Sequence, residues 1–132
     1  MANFLYLSPE WAEEGHKRAV AELTPEKLHH VTSSMTNIYK NCPDGKEHYF
    51  HVAFEDGKVK AFETGEGEGP KGEFKIIADY ETFAKISRAE LGAVRALTSR
   101  KLTLRGNMAK ALRLAPLVDK LNKILAGIPT DF

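Results

Sequence analysis

The sequence predicts an α/β fold of the α+β kind with five strands, and three stretches carry that prediction. Around Asp56-Gly57 two runs of alternating character meet in a two-residue turn, the pattern of a β-hairpin. Phe74-Lys75-Ile76-Ile77-Ala78, followed by Asp79 and Phe83, reads as a strand running into a capped helix. Towards the C-terminus, Leu117, Val118, Leu121, Ile124, Leu125 and Ile128 recur at helical spacing, with Asp119, Lys120, Asn122 and Lys123 assigned to the opposite, polar side.

The remaining elements follow in chain order. Ser8 can cap a helix and Pro9 suits its first position, and Trp11, Ala12, Gly15, Ala19, Val20 and Leu23 then share one face. Thr24-Pro25-Glu26 repeats the start signal and predicts a short helix or turn that docks Leu28. From Val31 the period changes, and Met35, Ile38 and Tyr39 among serines and threonines read as a strand. Asn41-Cys42-Pro43-Asp44-Gly45 is a turn. His48, Phe50, Val52 and Phe54 then alternate with Tyr49, His51 and Ala53, and Lys58 to Phe62 is the returning strand, so three strands form an antiparallel meander. Gly65-Glu66-Gly67-Glu68-Gly69-Pro70 reads as a flexible, anionic connector. Beyond the helix carrying Phe83 and Ile86, another is expected over about Ala89 to Leu97, presenting Leu91, Val94 and Leu97. Leu102 and Leu104 alternate as a short fifth strand, and Gly106-Asn107 turns into a helix carrying Met108, Ala111, Leu112 and Ala115. Pro116 is expected to restart that helix, and Gly127 and Pro129 to end it.

Composition bounds the possibilities. A chain of 132 residues, 42% hydrophobic and 28% charged, is expected to form one domain over 1–132 and to bury roughly two-thirds of its unfolded surface. A lone cysteine, Cys42, excludes an internal disulfide framework and fits a reducing compartment. Asn3 to Leu7 is too short for a signal core, and no apolar run approaches the roughly 20 residues that span a bilayer. Thr130-Asp131-Phe132 is not a peroxisomal address, so the expected location is cytoplasmic. Net charge is +1 but uneven: residues 1–87 carry 10 basic against 15 acidic groups, and residues 88–132 carry 9 against 3. A basic C-terminal third of this kind is either a set of solvated helix faces or a surface for transient contact with anionic membrane or acidic partners. No recognition motif accompanies it, so no nucleic-acid partner is expected.

Candidate chemistry is sparse. His48 and His51 point to opposite faces of a strand, adjacent His29 and His30 diverge, and His16 stands alone on the polar side of its helix. Three or four converging ligands are needed for a metal, so none is expected, nor a cofactor. The glycine-rich connector lacks the Lys-Ser/Thr ending of a phosphate loop, and its glutamates would repel phosphate. Glu13-Glu14 and Glu55-Asp56 read as solvated charge, not an acid/base dyad, and no enzyme is expected.

From Gly72-Glu73-Phe74 onward the sequence resembles the sterol carrier protein type 2 family of lipid-binding domains. The resemblance is carried by Asp79-Tyr80-Glu81-Thr82-Phe83-Ala84-Lys85-Ile86, by Lys101-Leu102-Thr103-Leu104-Arg105-Gly106-Asn107-Met108 and by Ala111-Leu112. Pro43-Asp44-Gly45-Lys46 and the hairpin at Asp56-Gly57 extend it, so that it covers roughly Val31 to Ile128. It implies a five-stranded, mostly antiparallel sheet covered on one face by helices, with an apolar tunnel between the layers that accepts sterols, fatty acids, acyl-CoA or phospholipids. Carried onto this chain, the wall residues are Phe83, Ile86, Leu91, Leu102, Leu104, Met108, Leu112, Leu117, Leu121 and Leu125. The function expected is non-catalytic lipid binding and transfer. The alternative is a dimerisation or scaffold module of the same fold whose tunnel has collapsed. Neither ligand identity nor oligomeric state is legible in the residues.

Overall fold

In the computed structural model, which describes residues 3–132, the predicted elements appear in the predicted order, with additions at both ends. A two-residue strand β1 (Phe4–Leu5) precedes helix α1 (Pro9–Glu22), whose cap Ser8 accepts the Trp11 backbone N–H at 3.1 Å. Trp11, Ala12, Gly15, Ala19 and Leu23 are buried as expected, whereas Val20 is 59% exposed. Residues 25–30 form turns, and Leu28 docks in the core.

Strands β2 (Ser33–Lys40), β3 (His48–Glu55) and β4 (Lys58–Glu66) make the antiparallel meander. The third strand runs four residues past Phe62, so Gly65 and Glu66 belong to the sheet and not to the connector. Strand β5 (Phe74–Asp79) pairs parallel with β2, placing Phe74 beside Met35, and β6 (Thr103–Arg105) pairs antiparallel with β5. The sheet order is therefore β4-β3-β2-β5-β6.

Helix α2 (Tyr80–Ser87) starts after Asp79, but the Asp79 carboxylate does not cap it; that group accepts from Asn41 Nδ2 at 2.7 Å. Helix α3 (Ala93–Thr98) is shorter than predicted. Ala89 takes a left-handed turn and Gly92 supplies no capping side chain, so the helix begins where Asp119 Oδ1 accepts the Ala93 N–H at 3.0 Å. Helix α4 (Met108–Ala126) runs unbroken through Pro116, which overturns the expected restart. Pro116 faces solvent, where water can satisfy the carbonyl left without a donor. Strand β7 (Thr130–Asp131) pairs parallel with β1 and ties the two ends of the fold together. These two-residue strands are too short to leave a periodic signal.

Pairing partners in adjacent strands share a face, so Met35, Val52, Phe62 and Phe74 form one row and Asn37, Phe50 and Ile76 another. Both rows face the helices. On the opposite face the connector is not free: Thr36 Oγ1 donates to the Pro70 carbonyl at 2.6 Å, and Thr36, Ile38 and His51 are buried. Because the single Thr36 proton goes to Pro70, His51 Nδ1, at 2.8 Å, donates to Thr36. Thr36, hydrogen-bonded to His51, thus ties the connector to β2. His16 is not alone either; its ring stacks on Phe62 with centroids 5.9 Å apart.

Candidate functional site

The helix-covered face of the sheet is filled unevenly. At the Tyr39 end, aromatic side chains close the gap. The Tyr39 ring packs 4.2 Å from Phe83, and Trp11 meets Tyr6 and Phe50 edge-on at 5.0 and 5.6 Å. Buried hydroxyls there satisfy each other: Tyr6 OH lies 2.6 Å from Ser87 Oγ and 3.0 Å from Tyr39 OH. Burial pushes both phenols well above the usual tyrosine range, so they stay neutral.

Towards the Ser33 end the layers separate. Ser33, Met35 and Asn37 of β2, with Val52, Phe74 and Ile76, form a floor, and Phe83 and Ile86 of α2 wall one side. The seven α4 residues Ala111, Leu114, Ala115, Leu117, Val118, Leu121 and Asn122 form the roof, and Ala93, Leu97, Leu102 and Leu104 close the flank. Between them lies a cavity of about 100 Å³, opening through a mouth so that all space free of atoms reaches about 930 Å³. The smaller figure is what a ligand meets before anything moves. At roughly 10–15 Å³ per water-sized atom it takes several such atoms, less than a long acyl chain. A full chain needs to leave its end in the mouth or to displace the helices.

Among the described residues none with an ionisable side chain lines this cavity; the polar residues there are Ser33, Ser34, Asn37 and Asn122. Among the described residues no three His, Cys, Asp or Glu side chains converge on a metal site, and no helix is long and apolar enough to cross a membrane. On the outer face, Thr36, Gly69, Arg105 and neighbouring residues line a polar crevice of about 500 Å³. Its charges are mixed, with Lys75 3.9 Å from Glu68 and Glu73 paired to Lys110.

Of the ten wall residues expected from the sequence, Phe83, Ile86, Leu102, Leu104, Leu117 and Leu121 lie together around the cavity. Four lie elsewhere. Met108 is 46% exposed at the start of α4, and Leu91 packs half-buried ahead of α3. Leu112 is half-buried away from the cavity, and Leu125 faces α1, where a side chain at Gly15 would meet it at 3.2 Å. Asn122 was assigned to the polar side of its helix, but it is 7% exposed and faces inward. Its position four after Val118 and three before Leu125 is the signal that places it in the apolar stripe.

The sequence pattern of the SCP-2 sterol transfer family matches residues 18–119. The chain belongs to the SCP-2 sterol transfer family. Solved structures similar to this SCP-2 chain agree in fold. A crystal structure of sterol carrier protein 2 superposes with a TM-score of 0.79 at 18% identity, covering 93% of this chain and 98% of that one. A conserved protein of Thermus thermophilus gives 0.77 at 16%, covering 99% and 94%. The palmitated SCP2L2 of Aedes aegypti gives 0.60 at 22%, covering 84% and 94%. No curated protein sequence gives a significant match.

Proposed function

We propose that this protein is a cytoplasmic, non-catalytic carrier that holds one apolar, lipid-like molecule between its sheet and α2–α4, as a single unit over 1–132. The observation that carries the proposal is the cavity itself, apolar on nearly every side and free of ionisable groups. Binding in such a place draws on apolar burial, worth about 0.8 kcal/mol per methylene. General acid/base chemistry would need a titratable group within reach of the substrate, and the wall offers none. Fatty acid, acyl-CoA, phospholipid and sterol-like molecules all fit the chemistry of the wall. The palmitated state of the Aedes aegypti relative supports an acyl chain in particular.

Phe83, Ile86, Leu102, Leu104, Leu117 and Leu121 are the proposed contact residues from the sequence, joined by Met35, Ile76, Leu114 and Val118. The basic C-terminal third would hold the loaded protein briefly against anionic membrane, each basic group near the surface contributing about 1 kcal/mol. The hollow favours this reading over a scaffold with a collapsed interior.

The test is native mass spectrometry of organic-extracted protein re-exposed to palmitic acid, a phosphatidylglycerol and cholesterol. A one-to-one adduct with at least one of them is expected. Absence of any adduct, with the protein still folded by circular dichroism, rejects the proposal.

A further inference from the structure

Two polar atoms among the described residues are buried without a partner, Asn37 Oδ1 and Asn122 Nδ2, and both residues line the apolar cavity. Each side chain is 93% buried by its residual exposure of 7%. They come from opposite walls: Asn37 is the last residue of β2 to reach the cavity, and Asn122 is the last of α4. A buried polar atom without a partner is a standing penalty, and two of them lining one cavity call for an explanation. Leucine branches at the same side-chain carbon and carries no polar atom, and the adjoining hollow lies beside its larger methyl groups.

The pair has a definite chemistry. One site presents an orphan acceptor and the other an orphan donor. Turning both amides over exchanges the two roles and still leaves one of each. No charged side chain lines the cavity, so a carboxylate or ammonium brought here would be desolvated with no counter-charge. A hydroxyl donates one hydrogen bond and accepts another, and it carries no charge.

We propose that Asn37 and Asn122 form a polar clasp at the inner end of the cavity, and that it selects apolar ligands bearing an uncharged hydroxyl at the end that enters first. This rests on the reading of the cavity as a lipid site and adds an orientation and a ligand class to it. The hydroxyl donates to Asn37 Oδ1 and accepts from Asn122 Nδ2–H, while the hydrocarbon body runs towards the mouth along Leu104, Leu117 and Val118. Hydrocarbon of equal length leaves Asn37 Oδ1 and Asn122 Nδ2 unpaired and binds at a disadvantage.

The experiment compares 1-dodecanol with n-dodecane, each delivered from cyclodextrin, in the native protein and in the N37L/N122L double variant. The preference for alcohol over alkane, read as the ratio of the two Kd values, should fall about tenfold in the variant, since two modest hydrogen bonds together supply about that factor. The variant should also melt higher without ligand, because it no longer buries unpaired amides. A second measurement needs no variant: in ¹⁵N-labelled native protein, dodecanol should shift the side-chain amide resonances of Asn37 and Asn122, and dodecane should leave them in place. An unchanged Kd ratio, or amide resonances indifferent to dodecanol, overturns the clasp while leaving lipid binding intact. Failure of both probes to bind native protein overturns the lipid reading beneath it.

Discussion

Residues Tyr39 and Met35 lie two alternations apart on the same face of the same strand, yet they have opposite surroundings. Tyr39 sits in a solid block, its ring against Phe83 and its hydroxyl joined to Tyr6 and through it to Ser87. Met35 lies on the floor of a hollow whose two amide groups have atoms with no partner. Asn37 stands between them and Phe83 serves both, packing on one and walling the other. The difference lies in what covers the sheet. Aromatic residues from α1, the segment before it and α2 reach the Tyr39 end. Over the Met35 end the roof is α4, whose Ala111, Ala115 and branched aliphatics are too short to reach the floor. One half of the core is close-packed, and the other half holds the cavity in which the proposed carrier function would place a ligand.

The largest expected effect tests this contrast by truncation. Trp11→Ala removes a ring buried among Tyr6, Phe50 and Phe62 and should cost about 3–5 kcal/mol in denaturant unfolding. Leu117→Ala borders space already empty and half-exposed, and should cost only about 1–2 kcal/mol, below the usual range for a close-packed leucine. Equal losses at the two sites would mean that both ends are packed alike.

Alkaline titration separates the halves by charge. Tyr6 and Tyr39 have phenol values raised in the folded state, so their contribution is complete below about pH 10, the unfolded value. It is lost as pH climbs from there towards the folded values. Stability should fall with a slope approaching about 1.4 kcal/mol per pH unit for each tyrosine, roughly 2.7 for the pair. Tyr6→Phe should cut that slope by about half, and Leu117→Ala, at the end whose wall cannot titrate, should leave it unchanged. Chemical denaturation at about pH 8 to 11 measures both.

Smaller effects probe how the hollow half is held. Asp119→Ala removes the cap on α3 and should cost about 1 kcal/mol. Amide exchange should quicken in Ala93–Thr98 and not in α1. Lys110→Ala breaks an exposed pair with Glu73 at the foot of α4, worth a few tenths, about 0.2–0.5 kcal/mol. Lys110 first, then Ser33, holds the Glu73 carboxyl below its ordinary value, so this contribution is present above about pH 4.3 and is lost as pH falls through the folded value. The variant should lose the larger part of that acid-side dependence and keep the part due to Ser33, seen in melting temperatures between about pH 3 and 6.

Much of this fold is written in local signals. The Ser8-Pro9 start, the Asp56-Gly57 turn and the alternation from His48 to Phe54 each name an element through its own residues. What local pattern could not supply is partnership at a distance. Nothing near Phe74 says that its strand will pair parallel with β2, and nothing near Ala89 says that Asp119 will decide where α3 begins. The cavity was half legible for the same reason. An apolar stripe identifies inward-facing residues such as Leu117 and Leu121, but Leu125 belongs to the same stripe and packs against α1. Met108 was among the expected wall residues and ends on the surface, because Asn107 caps α4 by accepting the Lys110 N–H and so sets Met108 at its first, outermost turn. Asn37 escaped notice because a polar residue in a strand reads as solvent-facing until its neighbours are known.

The most direct test of the central claim is to find where a bound chain lies. With ¹³C-labelled palmitic acid in methyl-labelled protein, intermolecular NOEs should connect the acyl chain to Leu104, Leu117, Val118 and Leu121. None should reach Leu23 or Leu125, on the α1 side. NOEs to the exposed Leu5, Val20 or Val94 in their place would put the lipid on the surface and leave the hollow without its occupant.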